Sequence, residues 1–441
     1  MECVRKPLIL ILGRPNVGKS TLFNRLVGEK KAIVEDIPGT TRDLLFGDVK
    51  WKDREYTIVD SGGLEIEPST SLGRKIKSKI EEAVREADLV LFMTDVKDGL
   101  TIPDQEAADF LRRLGKPVLL VVNKVDNEKR ALQVSEFFKL GLGEPIPISA
   151  YHGKGIEEMM DKVAEILPSP PPSEEEEEEG LKLIIMGRPN VGKSMLLNAI
   201  LKDERVLVDE TPGTTRDPVD VKFEFGGEPF ILIDTAGLRR KGRIEAGIES
   251  YSVLRALRAL ERSDVAALVL DATEGITAQD LHIAGYILEA EKGLVIAVNK
   301  WDLVENRKEA ERWYKAEAEA RFRFAPSPPL LFTSALKGWG VEKLLRAARE
   351  VYRNRTRRIP QPALDRAIRE IVAAYHPPSV GGKSGFIFGL KQVGISPPSF
   401  ELSVNNPDLF PDHYIRYIEN RLRERFELYG TPLRLILKRK R

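Results

Sequence analysis

The sequence predicts an α/β protein made of two copies of one module, each with a mainly parallel sheet, followed by a smaller α+β domain. A phosphate-loop motif that starts at Gly13 starts again at Gly187, 174 positions later (187 − 13 = 174). Apolar strand-like runs alternate with helical patterns through both copies, which is typical of a sheet covered on both faces. A repeat this long indicates a duplicated domain, because solenoid repeats run to about 20–50 residues.

Length and composition indicate a multidomain protein of ordinary globular type. The chain has 441 residues, of which 42% are hydrophobic and 31% charged, and this length favours about three domains. The single cysteine, Cys3, cannot form an intramolecular disulfide, which fits a reducing compartment. Residues 1–6 lack a signal-peptide pattern, and no apolar run approaches the roughly 20 residues needed to span a membrane, so we expect a cytoplasmic protein.

Composition also sets the expected domain boundaries. We expect the first module at residues 1–167, an extended proline- and glutamate-rich linker at 168–180, the second module at 181–356 and the third domain at 357–441. Residues 352–441 contain 17 Lys and Arg against 8 Asp and Glu, a net charge of +9 (17 − 8 = 9). This asymmetry favours a polyanionic partner at the C-terminal end, with a solvated positive face as the alternative.

The strand-like runs place the motifs at the carboxyl ends of strands, where open α/β sheets bind ligands. The expected strands of the first module are Leu8–Leu12, Tyr56–Val59, Leu89–Thr94 and Val118–Val122, with a helix at Ser20–Leu26. Those of the second module are Lys182–Met186, Ile231–Ile233, Ala266–Leu270 and Val295–Val298. The third domain is expected to follow the order α-β-β-α-β, at Leu364–Tyr375, Phe386–Val393, Ser399–Val404, Pro411–Tyr429 and Leu433–Leu437.

Each module contains a phosphate-binding loop between a strand and a helix. The glycines of the loop let backbone N–H groups turn inward around a phosphate at the N-terminus of the helix. Lys19 and Lys193 are expected to neutralise the β- and γ-phosphates, and the hydroxyls of Ser20 and Ser194 to ligate Mg²⁺. The two loops are Gly13-Arg14-Pro15-Asn16-Val17-Gly18-Lys19-Ser20 and Gly187-Arg188-Pro189-Asn190-Val191-Gly192-Lys193-Ser194.

An Asp-x-x-Gly motif follows in each module. Asp60 and Asp234 close strands and take the position of a Walker-B carboxylate on the metal side. Gly63 and Gly237 can present a backbone N–H group to the γ-phosphate. The full segments are Asp60-Ser61-Gly62-Gly63-Leu64 and Asp234-Thr235-Ala236-Gly237-Leu238.

A threonine pair precedes these motifs in each module. Thr41 and Thr215 follow Pro-Gly-Thr and fit a mobile switch threonine whose hydroxyl joins Mg²⁺ only when the γ-phosphate is present. Thr40 and Thr214 are the competing choice.

The Asn-Lys-x-Asp motifs predict the base. Guanine offers two donors, N1–H and N2–H₂, to a carboxylate at Asp126 or Asp302, whereas adenine presents an acceptor at N1. A site built to hydrogen-bond its substrate rejects such an analogue by about 10⁴–10⁵-fold. The motif lysines are expected to lie along the base or brace the phosphate loop, and the Ser-Ala pairs to contact guanine O6. These segments are Asn123-Lys124-Val125-Asp126, Asn299-Lys300-Trp301-Asp302, Ser149-Ala150 and Ser334-Ala335. Both modules are therefore predicted to be P-loop NTPase (G) domains that bind GTP and GDP.

The residue after Asp-x-x-Gly is a leucine in both modules, Leu64 and Leu238. Many GTPases place a water-positioning glutamine there, and leucine can neither orient water nor spread charge. We hypothesise that a K⁺ ion, held by Asn16 or Asn190 and by switch carbonyls, supplies the missing positive charge. The alternative is that both asparagines only stabilise their turns.

On these residues the chain resembles the bacterial tandem-G-domain GTPases of the Der (EngA) family. The resemblance covers the whole chain: two Gly-Arg-Pro-Asn-Val-Gly-Lys-Ser loops, two Pro-Gly-Thr-Thr-Arg-Asp switches, an acidic linker and a basic C-terminal domain. It implies a ribosome-biogenesis GTPase that associates with the large ribosomal subunit, with K⁺-stimulated hydrolysis and a KH-like third domain packed between the G domains. We accordingly expect a Mg²⁺-dependent enzyme that acts in late subunit assembly through rRNA, contacts no DNA and is monomeric off the ribosome.

The expected RNA contacts are basic side chains near the C-terminus. RNA-binding KH domains clamp the backbone with a Gly-x-x-Gly loop between two helices. The candidate here, Gly382-Lys383-Ser384-Gly385, precedes an expected strand, so we expect a flexible turn instead. Phosphate contacts elsewhere would give salt-dependent binding with little sequence preference. The candidates are Arg353, Arg355, Arg357, Arg358, Arg421, Arg423, Arg425 and Lys438–Arg441.

Two alternative functions stay open at this stage. One is a GTPase that serves another RNA process such as tRNA modification, although no cofactor-binding segment or catalytic cysteine lies outside the G domains. The other is an RNA-binding scaffold that is gated by nucleotide and turns it over very slowly.

Overall fold

The computed structural model describes residues 6–28, 45–60, 80–81, 83–167, 180–202, 206–208, 220–235, 253–380 and 383–440. These residues form two compact units: residues up to 167 belong to the first, and residues 180–235 and 256–440 to the second. The expected linker 168–180 lies outside the described residues except for Gly180. The finer division of the chain into four parts stays a prediction.

The first G domain is a six-stranded sheet in the order β2-β3-β1-β4-β5-β6, in which only the β2–β3 pair is antiparallel. The expected strands are all present. The elements are β1 (Leu8–Gly13), α1 (Lys19–Val27), β2 (Leu45–Trp51), β3 (Arg54–Asp60), β4 (Leu89–Asp95), α2 (Ile102–Leu114), β5 (Val118–Asn123), α3 (Glu128–Gln133), β6 (Ile146–Pro147) and α4 (Ile156–Ile166).

Hydrophobic side chains cover both faces of this sheet. Along β1, Leu8, Leu10 and Leu12 pack into the cluster on one face, while Ile9 and Ile11 pack into the cluster on the other. Successive side chains of a strand point to opposite faces, so a run without polar residues needs helices on both sides. The uninterrupted apolar runs read in the sequence therefore correspond to doubly covered parallel strands.

The second G domain repeats this plan with a seven-stranded sheet, β13-β12-β11-β7-β10-β9-β8. The pairs β8–β9 and β9–β10 are antiparallel, and the other pairs are parallel. The elements are β7 (Leu181–Met186), α5 (Lys193–Lys202), β8 (Val206–Val208), β9 (Val221–Phe225), β10 (Glu228–Leu232), α6 (Val253–Arg262), β11 (Val265–Asp271), α7 (Ala278–Glu289), β12 (Gly293–Asn299), α8 (Arg307–Arg321), β13 (Leu330–Phe332) and α9 (Val341–Thr356).

The third domain has the expected α-β-β-α-β order, with a short additional hairpin, β14–β15, after its first helix. Strands β16 and β17 are antiparallel, and β18 joins β17 in parallel. Phe400, Leu402 and Val404 of the central strand, fully buried, pack against both helices. The elements are α10 (Gln361–Ala374), β14 (Ser379–Val380), β15 (Lys383–Ser384), β16 (Ile387–Gly394), β17 (Ser399–Val404), α11 (Asp412–Phe426) and β18 (Arg434–Arg439).

The third domain docks on the second G domain through backbone hydrogen bonds. The N–H group of Leu294, on β12, donates to the Gly430 carbonyl over 2.7 Å, and the Gly430 N–H donates to the Pro326 carbonyl over 2.8 Å. An ion pair joins Arg434 to Glu291 beside them. These contacts explain why the second G domain and the third domain form one unit.

Candidate nucleotide-binding sites

The phosphate loop of each G domain connects the first strand of the module to the first helix. Gly18 and Gly192 precede the two helices with φ values of +99° and +94°, a region that side chains disfavour. A Cβ atom on Gly18 would lie 2.3 Å from Nδ2 of Asn123, and one on Gly192 would lie 2.4 Å from Nδ2 of Asn299. Glycine is therefore required where the loop passes the asparagine of Asn-Lys-x-Asp.

That asparagine joins three segments of each site. Nδ2 of Asn123 donates to the Val17 carbonyl over 2.7 Å, and Oδ1 accepts from the Ala150 N–H over 2.9 Å. In the second G domain, Asn299 makes the same bonds to Val191 and Ala335, over 2.9 and 3.0 Å. The phosphate loop, the Asn-Lys-x-Asp loop and the Ser-Ala loop are thus locked together, as the motif spacing requires for one ligand.

The loop lysines are held at the mouth of the loop. Nζ of Lys19 donates to the carbonyls of Gly13 and Arg14 over 3.0 and 2.8 Å. Nζ of Lys193 donates to the equivalent carbonyls of Gly187 and Arg188 over 2.9 and 2.5 Å. Both lysines are buried, so each ammonium group is preorganised beside the backbone that would enclose a phosphate.

The carboxylates expected to read the base face the Ser-Ala loops. Oδ1 of Asp126 accepts from the Ser149 hydroxyl over 3.0 Å, and Oδ1 of Asp302 accepts from the Ser334 hydroxyl over 2.5 Å. Burial alone would raise the pKa of Asp126, but the Ser149 hydrogen bond and the charges of Arg130 and Lys97 lower it below its ordinary value. Asp126 is therefore ionised at neutral pH and can accept hydrogen bonds.

The lysines of Asn-Lys-x-Asp are oriented by a carboxylate that lies outside the sequence motifs. Lys124 pairs with Asp95 over 2.5 Å, and Lys300 pairs with Asp271 over 2.5 Å. Nζ of Lys124 also donates to the Asn16 carbonyl over 2.8 Å, so this lysine braces the phosphate loop, one of the two expected roles. Although burial alone would raise the pKa of Asp271, its bonds from Lys300 and Thr273 hold it below the ordinary value.

A second unforeseen contact anchors the arginine of each phosphate loop. Nε of Arg14 donates to Asp104 over 2.8 Å, and Nε of Arg188 donates to Asp280 over 2.9 Å. Both aspartates are fully buried, and each also belongs to the capping box that begins α2 or α7. The sequence carried a signal for both contacts, because Asp95 and Asp104 recur 176 positions later (271 − 95 = 280 − 104 = 176).

Several expected site residues are not ligand-facing side chains. Val17 and Val191 are fully buried in the hydrophobic cores, so only their backbones can face a nucleotide. Val125 packs against a core cluster, and Trp301 is buried with its ring centroid 4.1 Å from that of Phe332. Pro15, Asn16, Pro189 and Asn190 are exposed at the outer edges of the loops.

The Walker-B positions differ between the two G domains. Asp60 ends β3, and its Oδ2 accepts from the Ser20 hydroxyl over 2.7 Å. The strand before Asp234 ends one residue earlier than predicted, at Leu232 instead of Ile233. Asp234 has a φ of +57°, and its N–H group donates to Asp220 over 2.9 Å. Asp234 therefore lies in a turn after the strand, whereas Asp60 is the last residue of its strand.

The expected switch and γ-phosphate residues lie outside the described residues. They are Thr40, Thr41, Ser61, Gly62, Gly63, Leu64, Thr214, Thr215, Ala236, Gly237 and Leu238. Thr235, which is described, is buried.

The basic residues proposed for RNA contact fall into two groups. Arg355 is only 2% exposed and donates to the Glu291 carbonyl over 2.5 Å, so the prediction that it contacts RNA was wrong. Arg423 is partly buried, and burial lowers its pKa. The candidates that are exposed are Arg353, Arg357, Arg358, Arg421, Arg425, Lys438, Arg439 and Lys440; Arg441 lies outside the described residues.

Known families match the modules that this geometry defines. The family described as 50S ribosome-binding GTPase matches residues 8–124 and again 182–300. The KH-domain-like family of EngA bacterial GTPase enzymes matches residues 358–438. The chain belongs to the Der (EngA) GTPase family.

Relatives in this family are similar over almost the whole chain. The GTPase Der of Chloroflexus aggregans is 49% identical over 98% of this chain and 98% of its own length. The GTPase Der of Thermomicrobium roseum is 49% identical over 98% and 96%, and that of Moorella thermoacetica is 47% identical over 99% and 99%. A crystal structure of Era in complex with MgGDPNP and 16S ribosomal RNA nucleotides aligns with 47% of this chain and 72% of that one, at 30% identity and a TM-score of 0.34.

Family membership establishes the coarse biochemistry. The chain is a GTPase of the ribosome-binding class, it binds guanine nucleotides, and its third domain is KH-like. The predicted order of two G domains and a KH-like domain is confirmed. In the described part of the chain, no helix is both long and apolar enough to cross a bilayer.

Proposed function

We propose that the chain is a GTP-driven switch with two G domains that acts in late assembly of the large ribosomal subunit through contacts with rRNA. One observation carries the proposal: in each of two G domains an asparagine joins the phosphate loop to the base-reading loops, and the same chain ends in residues 352–441 with a net charge of +9. A protein of this design would work in the cytoplasm, without DNA, and as a monomer off the ribosome. The four-part division at residues 167, 180 and 356 belongs to the same proposal.

In each site, we assign the loop lysine to the β- and γ-phosphates. Lys19 and Lys193 would exchange their present carbonyl partners for phosphate oxygens, and the backbone N–H groups of the loop would donate to the same anion. Gly63 and Gly237 would add a backbone donor to the γ-phosphate. Together these groups stabilise the charge that develops as water attacks the γ-phosphate in line.

The donor set beside Lys19 fits Mg²⁺. The Ser20 hydroxyl and the Asp60 carboxylate lie 2.7 Å apart and are hard oxygen ligands. When bound, Mg²⁺ offsets charge on the β- and γ-phosphate oxygens. Thr41 would complete the set in the triphosphate state, and Ser194, Thr215 and Asp234 would serve the second site.

We propose that K⁺ supplies the charge that the leucines after Asp-x-x-Gly cannot. Asn16 and Asn190 are exposed with φ values of +63° and +66°, so both have the same turn conformation at the edge of the loop. Their side chains would hold the ion together with switch carbonyls. GTP hydrolysis should then be faster in K⁺ than in Na⁺, and equal rates in the two salts would contradict this part of the proposal.

The open face of the KH-like sheet is a suitable RNA contact. Phe388 is 53% exposed, and the Lys440 ammonium lies 4.8 Å from the centre of its ring. Lys438 lies on β18, and Lys440 follows the end of that strand. Lys438 is exposed and pairs with Glu401 over 3.0 Å. An aromatic ring beside lysines can stack on a base while the charges hold phosphates. This face and the exposed arginines of α11 would bind rRNA with little sequence preference.

Sedimentation with ribosomal subunits tests the proposal. The protein should co-sediment with the large subunit more strongly in one nucleotide state than in the others, and binding should weaken as salt rises. A Lys438→Ala/Lys440→Ala variant should lose affinity, whereas Lys308→Ala, an exposed lysine on α8, should not. Equal sedimentation in the GDP, GTP and empty states would contradict the switch. Equal sedimentation of the Lys438→Ala/Lys440→Ala and Lys308→Ala variants would contradict the proposed surface.

A further inference from the structure

The guanine-reading carboxylate of the first G domain already has a cationic partner. Arg130, on α3, donates through Nη1 to Oδ2 of Asp126 and also to the Lys124 carbonyl over 3.2 Å. The ammonium group of Lys97 lies 3.9 Å from the same Oδ2. Asp126 therefore uses one oxygen for Ser149 and the other for a cation.

Guanine would bind the same carboxylate that Arg130 contacts. A carboxylate has about four lone-pair positions on two oxygens, and guanine would claim two of them through N1–H and N2–H₂. A hydrogen bond from a cation is stronger than one from a neutral N–H group. The base must therefore displace the guanidinium, which costs an ion pair, or share Oδ2 with it. A shared oxygen attracts the base N–H groups less, because the cation already offsets part of its charge.

The second G domain has no cation at the corresponding positions. Counted from the Asn-Lys-x-Asp motifs, which lie 176 residues apart, Asn306 stands where the first domain has Arg130, and Thr273 stands where it has Lys97. Counted from the helix caps, Asn127 of α3 and Asn306 of α8, the counterpart of Arg130 is Glu309, which is acidic. Among the described residues, Asp302 accepts from Ser334, and no lysine or arginine forms an ion pair with it. Asn306 instead caps α8 through its bond with the Glu309 N–H, so this side chain is committed to the helix.

The Ser-Ala loops also differ in the positive charge that they place near the base-reading aspartate. An isolated bridge pairs Ser149 with Lys154 in the first G domain and Ser334 with Trp339 in the second. Lys154 and Trp339 are therefore structurally equivalent. Nζ of Lys154 donates to the Asp126 carbonyl over 3.2 Å, which adds a third positive charge. In the second G domain the nearby Arg307 lies over the Trp339 ring, 4.6 Å from its centre, so that cation is held by the aromatic ring.

We propose that Arg130, assisted by Lys97, is an internal competitor for guanine in the first G domain. The first site then binds guanine nucleotides more weakly than it would with the residues of the second, and the two switches fill at different nucleotide concentrations. The inference depends on the proposed role of Asp126 and Asp302 in reading the base.

GDP affinity can be measured one site at a time in the full chain. In an Asp302→Asn background the second site loses its guanine acceptor, so that GDP titration reports the first site. Arg130→Asn in this background, which removes the cation, should tighten GDP binding by about three- to tenfold, the range for losing one partly exposed ion pair and its hydrogen bond. Arg130→Gln should act in the same direction, and Lys97→Thr should add a smaller gain.

The reverse exchange is the independent test. In an Asp126→Asn background, Asn306→Arg should weaken GDP binding at the second site by a similar factor relative to Asn306→Ala, which removes the cap of α8 without adding a cation. Arg112→Asn is the matched control for Arg130→Asn. Arg112 is an exposed arginine that pairs with Asp109 on its own helix, at the end distant from the phosphate loop. This control variant should leave the GDP affinity unchanged.

The outcomes separate the two levels of inference. If GDP binds the first site and Arg130→Asn or Arg130→Gln leaves the affinity unchanged or weakens it, Arg130 does not compete, and only this inference is overturned. If the Asp126→Asn/Asp302→Asn double variant binds GDP as tightly as the unmodified chain, the proposed reading of guanine by Asp126 and Asp302 is itself overturned.

Discussion

The two G domains share the contacts that hold their loops together but differ in the charges around the ligand. Asn123 and Asn299 make the same bonds to the phosphate loop and the Ser-Ala loop. In contrast, Asp126 is paired with Arg130, whereas Asp302 has no described ion pair. These asparagines tolerate little substitution, because a change at either one would move three backbone segments at once. The charges are carried by long side chains, which can change without moving the backbone.

The metal side and the surroundings of the two sites differ as well. Asp60 accepts from Ser20 at the end of a strand, while Asp234 follows a turn and its N–H group bonds to Asp220. The second G domain also carries the docked KH-like domain, through Leu294 and Gly430. The two copies of the module thus share the backbone arrangement of their loops, but they differ in the charges around the site and in the domain packed beside them.

The largest effect should come from removing each loop lysine. Lys19→Ala or Lys193→Ala should slow GTP hydrolysis at its own site by about a hundredfold or more, because a preorganised charge that faces the phosphates is lost. Phosphate release from the two variants would show which G domain turns over faster. Lys139→Ala, at an exposed lysine beside Glu136, should leave the rate unchanged. An unaltered rate in the double lysine variant would contradict the assignment of these residues.

An intermediate effect is expected at the shared anchor of the phosphate-loop arginines. Asp104→Ala and Asp280→Ala should each lower the free energy of unfolding of their G domain by about 3 kcal/mol, because a buried partner of an arginine and a helix cap are lost together. Denaturant unfolding of each variant measures the loss. Asp109→Ala, at an exposed carboxylate on the same helix as Asp104, should cost less than about 0.5 kcal/mol. Clearly unequal losses for the two buried aspartates would show that the G domains do not share this anchor.

The smallest effect should be confined to the second unit. Arg434→Ala removes the ion pair with Glu291, whose side chains are 55% and 31% exposed, so the free energy of unfolding should fall by about 1 kcal/mol or less. A double-mutant cycle with Glu291→Ala isolates the pair. The first G domain should unfold unchanged. A coupling of several kcal/mol would mean that this ion pair, rather than the backbone bonds of Gly430, dominates the docking.

Much of the fold followed from local patterns. The apolar runs predicted the parallel strands because a strand buried on both faces cannot carry polar side chains. The third domain's strand at Ser399–Val404 was predicted with its observed bounds. The strand before Asp234 was extended too far, because the predicted run included Ile233 and a positive φ at Asp234 is not visible in hydrophobicity.

The sequence by itself predicted that the phosphate loop, the Asn-Lys-x-Asp loop and the Ser-Ala loop meet in each G domain. Asn123 and Asn299 join these loops in the structure, because each motif follows the carboxyl end of a strand and these ends lie at one edge of the sheet. Tertiary structure alone decided which cation faces Asp126, that Arg355 is buried, and that Arg14 reaches Asp104. A lysine or arginine side chain can reach several carboxylates, and its partner is selected only when packing brings distant segments together.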